Sequence, residues 1–260
     1  MANQDIIPIA EFKSRVVMIT GAGQGIGRAY AHRFAALGAR VVVAEIGQEA
    51  GRRVSDEIGA MGAQALAVQV DVSSEESVAA AVGAAAERFG KIDVLVNNAA
   101  IFSTLKMRPF EEIPLDEWRR VLDVNITGTF LMTRAVAPLM KAAGWGRIIN
   151  VSSAAVTMGR PHYLHYTTSK AAAIGMTRSL ARELGPHGIT VNVVLPGAVD
   201  TGIPRETVSP EQKKAQIAMR SIQREQTPDD MVGVVQFLAS DASAFVTGQS
   251  LTVDGGLTFL

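Results

Sequence analysis

The chain has 260 residues with 25 basic and 25 acidic side chains, so its formal charge is zero, and 48% of its residues are hydrophobic. Such a length suits one large domain or two small ones, of which one α/β domain is expected, and an even charge without blocks of one sign gives no sign of a nucleic-acid arm or a membrane-surface patch, leaving small molecules as the expected partners. The absence of cysteine excludes disulfides, thiolate metal sites and cysteine nucleophiles; with no signal-peptide pattern and no stretch apolar enough to span a bilayer, the chain reads as a soluble, cytoplasmic protein.

Residues 1–13 form a loose lead-in. Val16-Val-Met-Ile19 is a short apolar run stopped by glycines, the pattern of a buried parallel strand. The run Thr20-Gly21-Ala-Gly23-Gln24-Gly25-Ile26-Gly27 then turns into a helix predicted over 26–37. Backbone amides and the positive end of the helix dipole converge there, where a pyrophosphate could lie, and glycines keep side chains out of its way. The glycine spacing is the wide form, G-x-x-x-G-x-G. Strand before and helix after favour a dinucleotide site over a merely flexible turn. The next strand, from Arg40 to Ala44, ends in Glu45, eighteen residues past Gly27, where an acidic side chain accepts hydrogen bonds from the adenosine ribose. A 2′-phosphate would face that carboxylate with a repulsion of roughly 4 kcal/mol at 4 Å and an effective dielectric of 20. Glu45 is therefore read as selecting NAD over NADP, unless Arg28 or Arg40 compensates the phosphate.

A helix predicted over 48–59 leads to a strand over 65–70 and then to Asp71-Val72. Asp71 either accepts the adenine amino group, with Val72 packed on the ring, or caps a turn; the residue alone leaves both open. Ser73 is the expected cap of a helix over 74–89. A fourth strand over 92–96 runs into Asn97-Asn98-Ala99-Ala100 at the edge where an open α/β sheet binds ligands. Residues 115–142 read as helix interrupted around Asn125-Ile-Thr-Gly128. Asn125 is disfavoured in a helix interior, and either opens the helix to position a relay water or marks a kink.

The strand from Arg147 to Val151 delivers Ser152-Ser153 and a loop over 154–165 that either walls a pocket or covers the sheet. Its His162 and His165 carry no metal-ligand spacing and read as structural; no metal is expected. Tyr166-Thr-Thr-Ser-Lys170 puts a phenol and an ammonium on one helix face. A cation held close lowers a phenol's pKa, so Lys170 would tune Tyr166 as a general acid/base. A buried strand over 189–195 ends in Pro196-Gly197-Ala-Val199-Asp-Thr201, followed by a segment at about 198–226 with the pattern of a substrate lid. A helix over 228–239 and a last strand within 249–256 complete the chain.

Taken together, the glycine run, Asp71, Asn97-Asn98-Ala99-Ala100, Asn125, Ser153, Tyr166, Lys170 and Pro196-Gly197 resemble the short-chain dehydrogenase/reductase family over residues 13–256. Ser153 lies thirteen residues before Tyr166, the family's interval, which prefers it to Ser152. Ala100 stands where the family usually has glycine. The resemblance implies a single Rossmann-type, doubly wound α/β domain over 1–260, with about seven parallel strands flanked by helices on both faces. It also implies roles: Ser153 binds the substrate oxygen, Tyr166 exchanges the proton, Lys170 binds the nicotinamide ribose, and Asn125 holds a relay water. Gly21, Gln24, Gly25, Ile26, Gly27, Asn98, Ala99, Pro196, Gly197, Val199 and Thr201 would contact NAD. The expected activity interconverts a secondary alcohol and a ketone, and the family usually assembles as homotetramers. The alternative within the family is an NADPH-dependent 3-oxoacyl-[acyl-carrier-protein] reductase, disfavoured by Glu45 and by Gly144 and His187 where carrier-binding members have arginine. A non-catalytic sensor would be expected to lose Tyr166 or Lys170, and both are present.

Overall fold

The computed structural model describes residues 12–203 and 210–259. Most of the predicted lead-in, and residues 204–209 of the predicted lid, lie outside them. Seven strands form one all-parallel sheet in the order β3-β2-β1-β4-β5-β6-β7: β1 Val16–Thr20, β2 Arg40–Glu45, β3 Ala65–Gln69, β4 Val94–Asn97, β5 Gly146–Val151, β6 Ile189–Pro196 and β7 Ser250–Val253. Helices α1 Gly25–Ala36, α2 Gln48–Ala60, α3 Glu75–Phe89, α4 Leu115–Leu122, α5 Gly128–Ala143, α6 Ala155–Met158, α7 Leu164–Leu184, α8 Pro210–Ala218 and α9 Asp229–Leu238 make the connections. Parallel strands need such crossovers, which leave helices on the faces of the sheet.

The alternation of side chains along each strand splits the core in two. Val17, Ile19, Val41 and Val43 point to one face, where Tyr30 and Phe34 of α1, Ile58 of α2 and Val235 of α9 cover them. Val16, Met18 and Val42 point to the other, beneath Val78 and Val82 of α3, Met132 and Val136 of α5 and Leu184 of α7. The sheet grows outward from β1 to β3, then returns to the far side of β1 and grows from β4 to β7. That reversal opens a crevice at the carboxyl ends of β1 and β4, where such sheets bind ligands.

The boundaries shift in places for physical reasons. The fourth strand starts at Val94, not Ile92, because the buried Asp93 carboxylate accepts the Val16 amide at 2.7 Å and meets Lys91 at 2.9 Å. The cap of α3 is Ser74, whose hydroxyl accepts from the Ser77 amide; the predicted cap, Ser73, is drawn instead to Asp71. Residues 123–127 form a π-helical turn between α4 and α5, which accounts for the predicted interruption. The long helix α7 begins at Leu164, so Tyr166 lies in its first turn. A helix, α8, occupies part of the segment read as a lid.

Candidate active site

The turn after β1 has room for a ligand only because of its glycines. Gly21 and Gly25 adopt φ of 63° and 56°, conformations that side chains rarely take. A Cβ on Gly27 would stand 2.2 Å from the Gly21 carbonyl oxygen, and one on Gly21 would stand 2.9 Å from the Ala99 Cα. Gln24 is the extended residue preceding α1. Thr20, which sequence reasoning left without a role, ties this turn to the one after β4: its hydroxyl accepts from the Asn98 and Ala99 amides, each at 3.0 Å. The Asn98 side-chain amide donates in return to the carbonyls of Thr20 at 3.0 Å and Gly21 at 3.1 Å. Asn97 turns inward to Thr133 and Asn150 and serves the core.

Glu45 leans over the glycine turn. One carboxylate oxygen accepts the Gly23 amide at 2.9 Å and the other accepts the amides of Ile46 at 2.9 Å and Gly47 at 3.3 Å. Neither arginine weighed as a phosphate partner faces it. Arg28 is held by Glu57 at 2.8 Å, and Arg40 begins β2 at the opposite end of the sheet, donating to the Ser14 carbonyl at 3.0 Å. Arg53 of α2, which the sequence did not flag, reaches the Gly23 carbonyl at 3.2 Å. Asp71 does form a turn, accepting from the Ser73 amide at 2.9 Å and hydroxyl at 2.6 Å through one oxygen, and its residue still lines the cleft. Val72 packs so closely on Gly128 that a Cβ there would come within 2.6 Å of it.

Farther along this crevice stand Tyr166 and Lys170, both buried on α7. Their shared helix face puts the Lys170 amine 5.8 Å from the centre of the Tyr166 ring. The amine donates to the Val151 carbonyl at 2.8 Å, and among the described residues no carboxylate pairs with it. Burial alone brings its pKa down to about 8. The Tyr166 ring is fixed by Phe102 at 4.6 Å and Tyr163 at 5.9 Å between ring centres. Ser152 is committed to the fold, donating to the Lys170 carbonyl at 2.7 Å, whereas Ser153 lines the cleft and accepts from the Ala155 amide at 3.1 Å.

A cleft of about 410 Å³ joins these parts, and every predicted site residue except Asn125 lines it. Asn125 sits in the π-helical turn, buried behind the wall. Its side chain accepts the Ile101 amide at 2.8 Å and donates to the Ser169 hydroxyl at 3.0 Å, which itself donates to the Tyr166 carbonyl at 2.7 Å. It therefore braces α7 at Tyr166. Within the loop over 154–165, Met158 and Tyr163 line the cleft; His165 is buried with Nε2 3.2 Å from Glu117, and His162 is exposed with φ of 62°. Phe102 and Leu257 also line it and had no sequence signal, since they reach it only through the fold, and Arg160 comes from the same 154–165 loop.

The site fits a dinucleotide on two counts. The glycine turn is a cradle that side chains would fill, and the Thr201 hydroxyl faces the cleft buried without a hydrogen-bond partner among the described residues. Among those residues no cluster of His, Asp or Glu could hold a metal ion, and no helix is long and apolar enough to cross a membrane.

Comparison with known proteins agrees with this geometry. A family model described as enoyl-(acyl carrier protein) reductase matches residues 21–258. Trans-4-hydroxycyclohexanecarboxylate dehydrogenase of Sinomonas cyclohexanicum is 42% identical, the match covering 94% of this chain and 93% of that one. The 3-oxoacyl-[acyl-carrier-protein] reductase of Synechocystis is 40% identical, covering 94% and 97%. The structure of an NAD⁺-bound xylitol dehydrogenase superposes with a TM-score of 0.88 at 33% identity, covering 95% of this chain and all of that one.

Proposed function

Since the chain belongs to the short-chain dehydrogenase/reductase family of oxidoreductases, we propose that it transfers a hydride between NAD(H) and a secondary alcohol or ketone, with Tyr166 as the general acid/base. The observation that carries this reading is the Lys170 amine, buried against Tyr166 and satisfied, among the described residues, only by the Val151 carbonyl. An ammonium has three hydrogens to donate, so two remain for the hydroxyls of a nicotinamide ribose. The same cation favours the phenolate and lets Tyr166 exchange a proton near neutral pH. Ser153 donates a hydrogen bond to the substrate oxygen and stabilises charge developing on it. Asn125 braces the start of α7 and, at the widened π turn, holds a water for proton relay. When bound, the nicotinamide ring supplies or receives the hydride.

Gln24, Gly25, Ile26 and Gly27 offer backbone amides to the pyrophosphate, Gly21, its own amide held by the Ala44 carbonyl at 2.8 Å, keeps the turn open beside it, and Asp71, Val72, Asn98 and Ala99 embrace the adenosine and its ribose. Pro196, Gly197, Val199 and Thr201 hold the nicotinamide, with Thr201 at its carboxamide. Glu45 supports NAD because its carboxylate faces the ribose position and the two arginines first weighed are engaged elsewhere. The cyclic hydroxy acid in one relative's name and the sugar alcohol in another's support a CH–OH substrate. The 3-oxoacyl reductase among the relatives keeps the second reading in view. Against it, Gly144 ends α5 and His187 follows α7 without a surface arginine at either place.

Replacing Tyr166 by phenylalanine is expected to abolish turnover while NADH binding stays measurable by calorimetry; unchanged turnover refutes the assigned acid/base. A panel of alcohols and ketones, including an acyl-thioester ketone, assayed with both cofactors separates the two readings. Exposed Leu115, Phe130 and Leu164 on α4, α5 and α7 support assembly as a homotetramer, which light scattering would check.

A further inference from the structure

Beyond Tyr166, the cleft is mostly apolar. Phe102, Ala155, Met158, Tyr163 and Leu257 wall it, and within this wall stands one guanidinium, that of Arg160. Arg160 is half-buried and has no carboxylate partner among the described residues. Its one side-chain hydrogen bond there is to the Met107 sulfur at 3.7 Å, a weak acceptor. Elsewhere the pattern differs: Arg28, Arg134, Arg147 and Arg224 each meet a carboxylate, and Arg40 and Arg220, which do not, donate to backbone carbonyls. The other cations lining the cleft are accounted for. Lys170 lies behind the phenol, and Arg120 is exposed on α4 one turn from Val124, which packs with Val72.

Arg160 is also held in place. Its guanidinium carbon lies 5.2 Å from the centre of the Tyr163 ring, and Tyr163 stands edge-on to Tyr166 at 5.9 Å. The Tyr163 ring therefore touches both the Tyr166 ring and a fixed cation, with apolar side chains along the same wall. A half-buried cation without a counter-ion bears a desolvation cost that a carboxylate from outside would offset, through the paired hydrogen bonds a guanidinium fork is shaped to give.

From this juxtaposition, and resting on the dehydrogenase reading above, we propose that Arg160 is the specificity-determining residue and that the substrate is a secondary alcohol, or its ketone, bearing a carboxylate on an apolar body. The hydroxyl sits at Tyr166 and Ser153, the body lies along Phe102, Met158 and Leu257, and the carboxylate pairs with Arg160. The carboxylate stays chemically unchanged: hydride leaves the carbinol carbon for the nicotinamide, and the hydroxyl proton goes to Tyr166.

The test uses pairs of hydroxy acids, cyclic and open-chain, each with its methyl ester, on the full chain with NAD. At least one acid is expected to exceed its ester tenfold or more in kcat/KM. Arg160→Gln should erase that ratio through KM, leaving kcat for esters within about twofold and the affinity for NADH unchanged. Arg160→Lys should recover part of it, which shows that charge and not shape was lost. Calorimetry of the matching keto acid against the Tyr166→Phe protein loaded with NADH gives the same comparison without turnover. If esters or neutral alcohols turn over as well as every acid, or if Arg160→Gln leaves the ratio intact, the proposal falls while the dehydrogenase reading stands. If no alcohol of either kind turns over and NADH does not bind, both fall.

Discussion

At the carboxyl end of β5 a lysine lies in the interior with one carbonyl for company, and this has a measurable pH signature. Burial brings the Lys170 pKa from 10.5 to about 8. Below pH 8 the folded and unfolded chains both hold the proton, so the penalty of burying the charge is constant. Between pH 8 and 10.5 the unfolded chain holds more protons, so the contribution of Lys170 to stability rises with pH across that window. Wild type compared with Lys170→Met in urea unfolding, without cofactor, should show a difference that moves by roughly 3 kcal/mol in wild type's favour, at 1.36 kcal/mol per pKa unit. A flat difference would mean that the amine is solvated. At the other end of the cleft, Glu45→Gln keeps an acceptor for the Gly23 amide but removes the charge. The ratio of kcat/KM for NADPH over NADH should rise on the order of 10- to 100-fold, a part of the repulsion between charges a few ångströms apart. Residues whose chemistry depends on local spacing were legible: the glycine run, and Tyr166 with Lys170 one turn on. Asn125 was legible only as an oddity, because its partners Ile101 and Ser169 are 24 and 44 residues away. Arg53 left no trace in the sequence and Arg160 entered it only as part of the 154–165 loop, since an arginine is ordinary until the fold shows what it lacks.

The elements were easier to read than their ends. Runs of valine and isoleucine between glycines announced the strands, whereas the start of β4 depended on Asp93 capturing an amide 77 residues earlier. The interruption between α4 and α5 was visible, but its π geometry was not, because a widened turn depends on what packs beside it. That turn places Gly128 against Val72, and Gly128→Ala would push a methyl to 2.6 Å from a Val72 methyl. Overpacking of this kind costs about 1–3 kcal/mol. Because Val72 lines the cofactor end of the cleft, the change should raise the dissociation constant for NADH several-fold while leaving kcat nearly unaltered. Equal losses in both, or in neither, would show that the contact does not reach the site.

Across the whole molecule, chemistry and anchorage occupy opposite edges of the sheet. All strands run the same way, so their carboxyl ends gather at the cleft and their amino ends at a cluster of charges. There Asp93 meets Lys91 at 2.9 Å and Arg15 at 3.6 Å, and Arg147, buried at the start of β5, meets Asp241 at 3.0 Å. Asp93→Asn should lower stability by about 2 kcal/mol or more, since it leaves a cation short of its partner. The melting temperature should fall by several degrees with kcat/KM unchanged; a matching loss of activity would contradict the separation. The doubly wound fold class was legible through the family resemblance, but nothing in the sequence told which charges would meet behind the sheet. Trp145 lies in that cluster, with the guanidinium carbons of Arg15 and Arg147 at 3.5 and 4.2 Å from its ring. The chain has only two tryptophans, so in a Trp118→Phe background the emission of a single indole becomes an optical gauge of the rear edge. Its colour would change when β1 and β5 part company, letting fluorescence distinguish a molecule losing its scaffold from one that has merely lost its chemistry.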